Sequence, residues 1–357
     1  MNEKTATIRS SIELDLSPSE AFEAAVRELP PLLAQNNIRF EPGPEGQIME
    51  GNFRVGRIVL WEPGDRIVIE WHQASWEPDV VTEVEFRFEP IAGGARVTIE
   101  HRRWGQFLGD SGDLASWFVS ALAAPFLRAT APEALGDWIT DRKARRPWGA
   151  QSAAFYRDPL YHYPNFRVIL SELALTPDDH LLEVGCGGGA FLKEALRSQC
   201  SAAAIDHSPE MVEAARDVNR ASIEAGRLEV LAGSAVSLPF ADATFTRAAM
   251  TGVLGFLSDP VAAFTEIHRV LKYGGRFVAL GSDPKMRGTP AAPEPIASRL
   301  RFYEDDELAR LAKKAGFGDV QVVRRDMEAF AREVGVPEEH LALFSGPGGP
   351  FLIAKKS

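Results

Sequence analysis

A glycine-rich loop near the middle of the chain is the first feature whose residue types could do chemistry. The apolar run His180–Val184 predicts a buried strand, and Gly185, Gly187 and Gly189 follow it. Glycine at such positions lets the backbone turn sharply and approach a ligand, which the first amides of the next helix then face. The loop by itself is equally consistent with a tight turn that holds no ligand.

A carboxylate follows this loop at the distance expected for ribose recognition. Asp206 ends the next predicted strand, residues 202–206. An acid about twenty residues after such a loop holds a ribose diol in dinucleotide-type folds. NAD and S-adenosylmethionine both carry this ribose. The glycines stand at every second position and lack the two-residue gap before the third glycine of the dinucleotide fingerprint, which favours S-adenosylmethionine.

The chain from about residue 151 to 357 resembles the class I S-adenosylmethionine-dependent methyltransferases. The branch in question includes quinone-biosynthesis C-methyltransferases and many small-molecule methyltransferases. The resemblance implies an α/β doubly wound, Rossmann-like domain with S-adenosyl-L-methionine as its cofactor. It rests on five motifs that follow one another in the order and spacing of the family, at residues 181–189, 205–216, 238–245, 266–277 and 307–317.

The resemblance also implies a role for each residue of the cofactor site. The loop glycines face the methionyl and ribose parts, Glu183 supports the loop or the amino group, Asp206 accepts from the ribose hydroxyls, and His207 lies along the adenine edge. Where many relatives carry an Asp for the adenine amino group, Ser234 and then Ala235 stand, and a neutral hydroxyl accepts that bond more weakly. The implied cofactor-binding set is Glu183, Gly185, Gly187, Gly189, Asp206, His207, Ser234 and Ala235.

Methyl transfer from a sulfonium needs no covalent nucleophile, because the methyl group is already activated. The protein has to align the acceptor with the methyl carbon and the sulfur and to exclude water, and a general base helps with a hydroxyl, an amine or an acidic carbon. In related methyltransferases an aromatic segment before the loop strand, here residues 155–164, covers the cofactor and touches the substrate. Tyr156 and His162 are therefore the predicted catalytic residues, with Tyr161 beside them. Aromatic packing on the sheet edge is the alternative.

The segments after the fourth and fifth strands of this half are expected to meet the methyl acceptor. Just past the fourth strand the chain offers no carboxylate and no base, only Thr251, which predicts an apolar acceptor pocket. The proline-rich residues 282–301 are expected to be either a lid, to which Arg299, Arg301 or Tyr303 contributes, or a disordered connection.

Strands and helices alternate from residue 180 onward, and these elements must position the site. Such alternation predicts a doubly wound, mostly parallel sheet whose ligand lies at the carboxyl ends of the strands. One helix is predicted over residues 209–225. The late strands, residues 320–325 and 350–355, are predicted to form a terminal antiparallel hairpin.

The first half of the chain has a different pattern. Ser17 is placed to cap a helix that has Pro18 at its first position, and a long helix at residues 113–141 closes this half. A curved antiparallel sheet that wraps a long helix leaves an apolar cavity between them. Strands with period-two alternation are predicted at residues 5–16, 46–60, 65–71, 80–89 and 95–101.

This half, about residues 5–147, resembles the START-like helix-grip superfamily (SRPBCC), in the branch of the heat-shock-protein ATPase-activator homologues. The resemblance implies an α+β helix-grip fold whose cavity binds a small hydrophobic molecule or a partner, and in which catalysis is uncommon. It rests on Ser17-Pro18, on residues 61–68, 82–90 and 93–101, and on Trp104.

Composition narrows the class of partner. The 357 residues carry 39 Lys and Arg against 50 Asp and Glu, a net charge of −11, so a nucleic-acid partner is not expected. The sequence has no signal core and no apolar run of about 18 residues, which predicts a cytoplasmic protein without membrane contact. Cys186 and Cys200 are too few for a disulfide framework or a four-ligand zinc site, and no metal is expected.

Two domains are therefore predicted. Residues 1–147 form a START-like domain that is ligand-binding or regulatory, and residues 148–357 form a methyltransferase domain, joined by a linker around residues 142–148. The predicted function is methyl transfer from S-adenosylmethionine to a small-molecule acceptor. The alternative is an S-adenosylmethionine-binding regulatory or ligand-binding protein without turnover, in which the START-like cavity is the functional site. The departures Phe245-Thr246 for Phe-Asp and Tyr273 for Pro keep this alternative open. Oxygen, nitrogen and carbon acceptors stay open, as does the oligomeric state.

Overall fold

Two compact units, Met1–Ile139 and Thr140–Ser357, make up the chain. The computed structural model describes residues 8–35, 37–72, 81–103, 133, 136–137, 140–145, 147, 155–289 and 291–357. The predicted helix at residues 113–141 falls largely outside the described residues, and Trp104 falls outside them entirely. The predicted linker is described at residues 142–145 and 147, and its first part lies in the π-helix Asp141–Arg145. The domain boundary after residue 147 stays a prediction.

The first unit contains a seven-stranded antiparallel sheet and one described helix, α1 (Pro18–Ala34). The strands are ordered β1-β7-β6-β5-β4-β3-β2 across the sheet. A mostly sequential antiparallel sheet with a helix between its first two strands confirms the predicted helix-grip fold. Their bounds are β1 (Ile8–Leu14), β2 (Ile38–Phe40), β3 (Gln47–Glu50), β4 (Phe53–Glu62), β5 (Arg66–Trp71), β6 (Thr82–Ile91) and β7 (Gly94–Arg102).

Helix α1 begins at a capping box and packs on one face of this sheet. The Ser17 hydroxyl accepts from the backbone N–H of Glu20, whose carboxylate accepts from the N–H of Ser17 at 2.8 Å. Phe22 of the helix lies edge-on to Trp61 and Phe88, with ring centroids 5.1 Å and 5.2 Å apart. The strand predicted over residues 46–60 is in fact two strands, β3 and β4, because the chain reverses at Gly51, where φ is +58°.

The second unit contains a mixed seven-stranded sheet of order β10-β9-β8-β11-β12-β14-β13, with helices between the strands. The strands are β8 (His180–Val184), β9 (Ser201–Asp206), β10 (Leu228–Ala232), β11 (Phe245–Met250), β12 (Leu271–Leu280), β13 (Asp319–Arg324) and β14 (Pro350–Lys355). The helices are α2 (Tyr163–Leu173), α3 (Ala190–Ala195), α4 (Pro209–Val218), α5 (Arg220–Glu224), α6 (Pro260–Val270), α7 (Asp305–Lys314) and α8 (Glu328–Glu333).

All strands of this sheet except β14 run in the same direction. Strands β8 to β12 pair in parallel, and β14 is antiparallel to its neighbours β12 and β13. The loops after β8, β9, β10, β11, β12 and β13 therefore share one edge, called the carboxyl edge below. The chain leaves β8 toward β9 and β10, then returns to place β11 on the other side of β8. Ligands of doubly wound sheets bind at such a reversal, and the predicted fold is confirmed.

Three details differ from the sequence-based expectation. The helix predicted over residues 209–225 breaks at Asn219, whose side-chain amide donates to the carbonyls of Ala215 and Gly189 instead of pointing to solvent. The last two strands do pair antiparallel, but residues 325–349, which include α8, join them in place of a tight turn. Helix α2 was not predicted.

In the described part of the chain, no helix is long and apolar enough to span a membrane.

Candidate functional site

The loop after β8 is packed so closely that side chains at its glycine positions would clash with neighbouring atoms. Gly185, Gly187 and Gly189 have φ values of +78°, +50° and +83°, a region that favours glycine. A Cβ on Gly185 would stand 2.1 Å from Cγ2 of Val253, and one on Gly189 would stand 2.6 Å from Nδ2 of Asn219. The loop is therefore pressed against the turn after β11 on one side and the end of α4 on the other.

Asp206 is buried at the end of β9 and fixes this loop. One carboxylate oxygen accepts from the backbone N–H of Gly187 at 2.9 Å, and the other accepts from the N–H of Ser208 at 2.9 Å. The backbone carbonyl of Asp206 accepts from the N–H of Gly233, which follows β10. Each carboxylate oxygen keeps a second lone pair, so the same group can still accept from a ribose diol.

Glu183 is the second acid at this end of the sheet. Its side chain is buried, and its Oε2 atom has no hydrogen-bond partner among the described residues. Burial, and then the negative charge of Asp206, raise the pKa of Glu183 well above its usual value. A cationic group that reached this pocket would offset both effects, because it would restore the interactions that the carboxylate has lost.

Tyr156 lies directly over the glycine loop. Its Cδ1 atom is 3.3 Å from the place of a Cβ on Gly187, and its backbone carbonyl is 2.4 Å from the place of a Cβ on Gly188. Burial, followed by the negative charge of Asp206, raises the pKa of Tyr156 to about 12, so the phenol stays protonated at neutral pH. The phenol is therefore close enough to Asp206 to feel its charge.

His162 lies at the neighbouring strand end. Its Cε1 atom is 3.8 Å from the place of a Cβ on Gly252, just past β11, and its ring stacks on Phe166 with centroids 6.0 Å apart. Burial lowers the pKa of His162, which keeps the imidazole neutral at pH 7. The two predicted catalytic residues thus lie against the turns after β8 and β11, on opposite sides of the point where the strand order reverses.

The residues predicted for the adenine side are more open. His207 is exposed, and its Nδ1 atom is 3.9 Å from a carboxylate oxygen of Asp206. Ser234 is exposed too, and its hydroxyl accepts from the N–H of Val236 at 3.4 Å. Ala235 is half-buried. All three stand at the ends of β9 and β10, which is the edge at which the glycine loop lies.

The segment after β12 is packed onto the carboxyl edge. The N–H of Arg301 donates to the carbonyl of Gly255 at 2.8 Å, and the N–H of Tyr303 donates to the carbonyl of Ser282 at 2.9 Å. Ala292 and Ala297 within the segment are fully buried. These contacts argue against the disordered connection in the part of the segment that the structure describes, which omits residue 290.

Residues 325–349 form a further part of the carboxyl edge. The sequence did not suggest this arrangement. Nδ1 of His340 and the hydroxyl of Tyr161 are hydrogen-bonded at 2.7 Å, and the guanidinium of Arg167 lies 4.1 Å from the ring centroid of Phe330. This segment therefore covers the start of α2. A hint was available in the unusual length of chain between two strands that were predicted to pair, but its contacts are distant in sequence.

Arg324, the last residue of β13, contacts three segments at the carboxyl edge. It pairs with Asp305 and with the buried Asp283, and its guanidinium donates to the carbonyl of Gly348 at 2.8 Å. Burial is the largest single influence and raises the pKa of Asp283, but the hydrogen bonds from Arg324 and from the backbone N–H of Lys285, together with the positive charges of both residues, lower the net pKa. The Asp283 carboxylate is therefore ionised. Arg324 links the segment after β12, the start of α7 and the segment at residues 325–349 in one network of ion pairs and hydrogen bonds.

Comparison with known proteins finds a family match within each unit. Residues 182–279 match the family described as methyltransferase domain, and residues 28–113 match the family described as activator of Hsp90 ATPase homolog 1-like protein. The chain joins an AHSA1-like domain to a methyltransferase domain. The family match of the methyltransferase domain begins in β8 and ends in β12, so it includes the glycine loop, Asp206 and the end of β11.

Relatives of the chain are similar over part of their length. An O-methyltransferase of Pyrenophora dematioidea is 34% identical over 162 residues, 43% of this chain and 60% of that protein. A protein described as an uncharacterized 37.1 kDa protein in a transposon of Streptomyces fradiae is 33% identical over 188 residues, 47% of this chain and 53% of that protein. The chain thus spans little more than half the length of these curated relatives.

A solved structure of similar fold comes from Thermotoga maritima. It is described as an S-adenosylmethionine-dependent methyltransferase, possible histamine N-methyltransferase, and is 25% identical with a TM-score of 0.42. The superposition covers 57% of this chain and 97% of that chain.

The residues of the methyltransferase domain fit S-adenosylmethionine, the cofactor that such a domain implies. The glycine positions carry no side chain that would keep a ligand away from the loop backbone, and the second lone pairs of Asp206 suit a ribose diol. The unpartnered oxygen of Glu183 suits an ammonium or a sulfonium. Among the described residues, no group of three or more His, Cys, Asp and Glu side chains is arranged to hold a metal ion.

Proposed function

We propose that this protein is an S-adenosylmethionine-dependent methyltransferase that acts on a small-molecule acceptor by in-line transfer. The observation that supports this most is the pair of buried acids beside the glycine loop. Asp206 holds the loop through Gly187, and Glu183 keeps one oxygen without a partner in the described structure. The similarity to an O-methyltransferase supports the same proposal.

The residues of the chain divide the work of the proposed reaction. Bound S-adenosylmethionine supplies a methyl group that is already activated for transfer. Asp206 accepts from the ribose hydroxyls, Glu183 counters the cationic charge, and the loop glycines leave room for the ligand close to the sheet. Tyr156 covers the loop and excludes water from the reacting atoms, as its position over Gly187 and Gly188 allows.

His162 is the proposed general base. It is neutral because its pKa is lowered, and it lies beside the turn after β11, where an acceptor would approach from the open part of the edge. A neutral imidazole can take the proton that a hydroxyl or an amine loses during transfer. In this proposal Tyr156 and His162 are the catalytic pair. His207, Ser234 and Ala235 border the adenine.

The AHSA1-like domain is assigned a supporting role in this proposal. Residues 1–147 bind or present a ligand, or regulate residues 148–357, which carry out the transfer. The expected setting is the cytoplasm, with no nucleic-acid or membrane partner, in line with the net charge of −11.

The alternative is a protein that binds S-adenosylmethionine without turnover, with the cavity of the AHSA1-like domain as its functional site. The altered motifs favour it, since Ser234 replaces an Asp and Thr246 replaces another. In the structure, however, the Thr246 hydroxyl donates to Asp179 at 2.7 Å and accepts from the N–H of His180 at 3.0 Å. The Thr246 departure therefore has a local structural reason, which weakens the alternative.

A labelled-methyl screen separates the two functions. The protein is incubated with S-adenosylmethionine that carries a deuterated methyl group and with a panel of phenols, quinols, amines and carboxylic acids, and products are followed by mass spectrometry. Incorporation by the wild-type protein and none by Asp206→Ala supports the enzyme. Cofactor binding without label transfer over the panel supports the alternative, and absence of cofactor binding contradicts both.

A further inference from the structure

Thr251 carries a buried hydroxyl that makes no hydrogen bond within the described structure. It follows the last residue of β11, and its Oγ1 atom is buried without a hydrogen-bond partner among the described residues. Buried hydroxyls are almost always hydrogen-bonded, because an unpaired one loses its contacts with water and gains nothing in return. A group left unpaired at the ligand edge of a sheet calls for a partner that arrives with a ligand.

The neighbours of Thr251 place it between the cofactor loop and the proposed base. Met250 pairs with Val184 at the end of β8, so Thr251 is level with the start of the glycine loop. Gly252 faces the ring of His162, and Val253 presses on Gly185. The hydroxyl therefore belongs to a turn that touches the loop on one side and His162 on the other.

Thr251 is separated in the sheet from Asp206 and adjoins the strand that carries Glu183. Thr251 stands one strand away from Asp206, since β8 separates β11 from β9. Glu183 pairs in register with Ala249, two residues before Thr251. In addition, β11 adjoins β12, whose following segment is packed against Gly255 through Arg301. Thr251 thus lies where the cofactor half of the edge meets the half formed by the segments after β11 and β12.

We infer that Thr251 binds the reacting heteroatom of a methyl acceptor that is a hydroxyl or an amine. This inference rests on the proposed function. The Thr251 hydroxyl hydrogen-bonds the acceptor oxygen or nitrogen and turns it toward the methyl group. Oxygen and nitrogen offer the lone pair or the polar hydrogen that this contact needs.

The step balances without any further reagent. A bond forms between the acceptor oxygen or nitrogen and the methyl carbon, while the bond from that carbon to the cofactor sulfur breaks and the sulfur keeps the electron pair. The acceptor loses its proton to the neutral imidazole of His162, which passes it to water. Thr251 positions the acceptor atom and is neither oxidised nor permanently deprotonated.

The test uses phenol and benzene, which differ in the hydroxyl group. Their dissociation constants are measured by ligand-observed NMR on the full-length protein saturated with S-adenosylhomocysteine, for wild type, Thr251→Val and Thr251→Ser. The phenol proton that faces His162 favours phenol in all three proteins, and the hydrogen bond to Thr251 is expected to add roughly tenfold to this preference in wild type and Thr251→Ser. Thr251→Val, which keeps the shape and removes the hydroxyl, is expected to lose that tenfold.

The affinity for S-adenosylhomocysteine is the control for fold and for the proposed function. It is expected to stay within about twofold of wild type in both variants, because Thr251 contacts the acceptor. A phenol preference in Thr251→Val as large as that of wild type, no preference or no binding in wild type, or a large loss of cofactor-product affinity in Thr251→Val would overturn the inference. Failure of the wild-type protein to bind S-adenosylhomocysteine would instead contradict the proposed function itself.

Discussion

The carboxylate of Asp206 accepts a hydrogen bond from the backbone N–H of Gly187 at 2.9 Å. This bond joins the end of β9 to the loop after β8, so the loop has its ligand-binding shape before any ligand arrives. A preformed site loses less conformational entropy on binding. The same carboxylate shapes the loop and, in the proposed function, also holds the ribose.

Because of Glu183, the free energy of unfolding of the protein without cofactor should fall as the pH rises. Its pKa is raised in the folded state by burial and by Asp206, so its contribution to stability is complete below the unfolded value and is lost as the pH rises through the folded value. Glu183→Gln removes this loss. Urea unfolding at pH 5 and pH 8 should show a larger gain for Glu183→Gln at pH 8, and equal gains at both values would contradict the assignment.

Gly189→Ala should destabilise the protein by more than a positive φ alone explains. The backbone conformation costs about 1–2 kcal/mol for a non-glycine residue, and contact with Asn219 and Ala215 adds roughly 1–3 kcal/mol. Gly226→Ala is the matched control, since its φ is +69° and a Cβ there meets nothing within 4 Å. Denaturant unfolding of the two variants measures the difference, and equal losses would rule out the close contact.

Removing the guanidinium of Arg324 should destabilise the methyltransferase domain. Arg324→Met leaves Asp283 buried without its cation, which costs roughly 3 kcal/mol. Because the pKa of Asp283 is lowered, this stability is present above the unfolded value and is lost as the pH falls through the folded one. Arg310→Met is the control, since its pair with Asp306 is exposed and worth less than about 1 kcal/mol. Comparable losses for both variants would refute the network.

His162→Gln should lower the turnover of whichever acceptor the labelled-methyl screen finds, by roughly 100-fold, with unchanged affinity for S-adenosylmethionine. The lowered pKa means that the base form persists to below the ordinary value of about 6.5, so the wild-type rate should be level above pH 7 and fall in acid. His340→Gln is the control. His340 lies in the segment at residues 325–349 and hydrogen-bonds Tyr161, outside the proposed catalytic pair, so a loss below tenfold is expected. An equal effect of the two substitutions would remove His162 from the base role.

Local sequence signals predicted several strands of the methyltransferase domain well. The bounds of β8 and β14 agree with the predicted strands, because each is a short apolar run with turn residues beside it. Asp206 and the three glycines could be placed for the same reason: their roles depend on being next to a strand end. The family resemblances of both halves are confirmed.

The arrangement of α2, β13 and residues 325–349 depends on contacts between residues that are distant in sequence, which local sequence patterns do not reveal. Tyr161 meets His340 and Arg324 meets Asp283 across long stretches of chain, and residues 325–349 fold against α2. Asn219 ends α4 because of a bond to the carbonyl of Gly189, which periodicity alone cannot show. The unpaired state of the Thr251 hydroxyl also becomes visible once the neighbouring elements are in place.

Calorimetric titration of S-adenosylmethionine into the wild-type protein, Asp206→Asn and Asp242→Asn tests the central claim most directly. Asp206→Asn keeps the shape of the side chain and removes its charge, so affinity should fall roughly 10- to 100-fold, as expected for hydrogen bonds to a charged group. Asp242→Asn changes an exposed acid that pairs with Arg269 and should leave the affinity unchanged. Unchanged affinity in Asp206→Asn, or no binding by the wild-type protein, would contradict the assignment of this site.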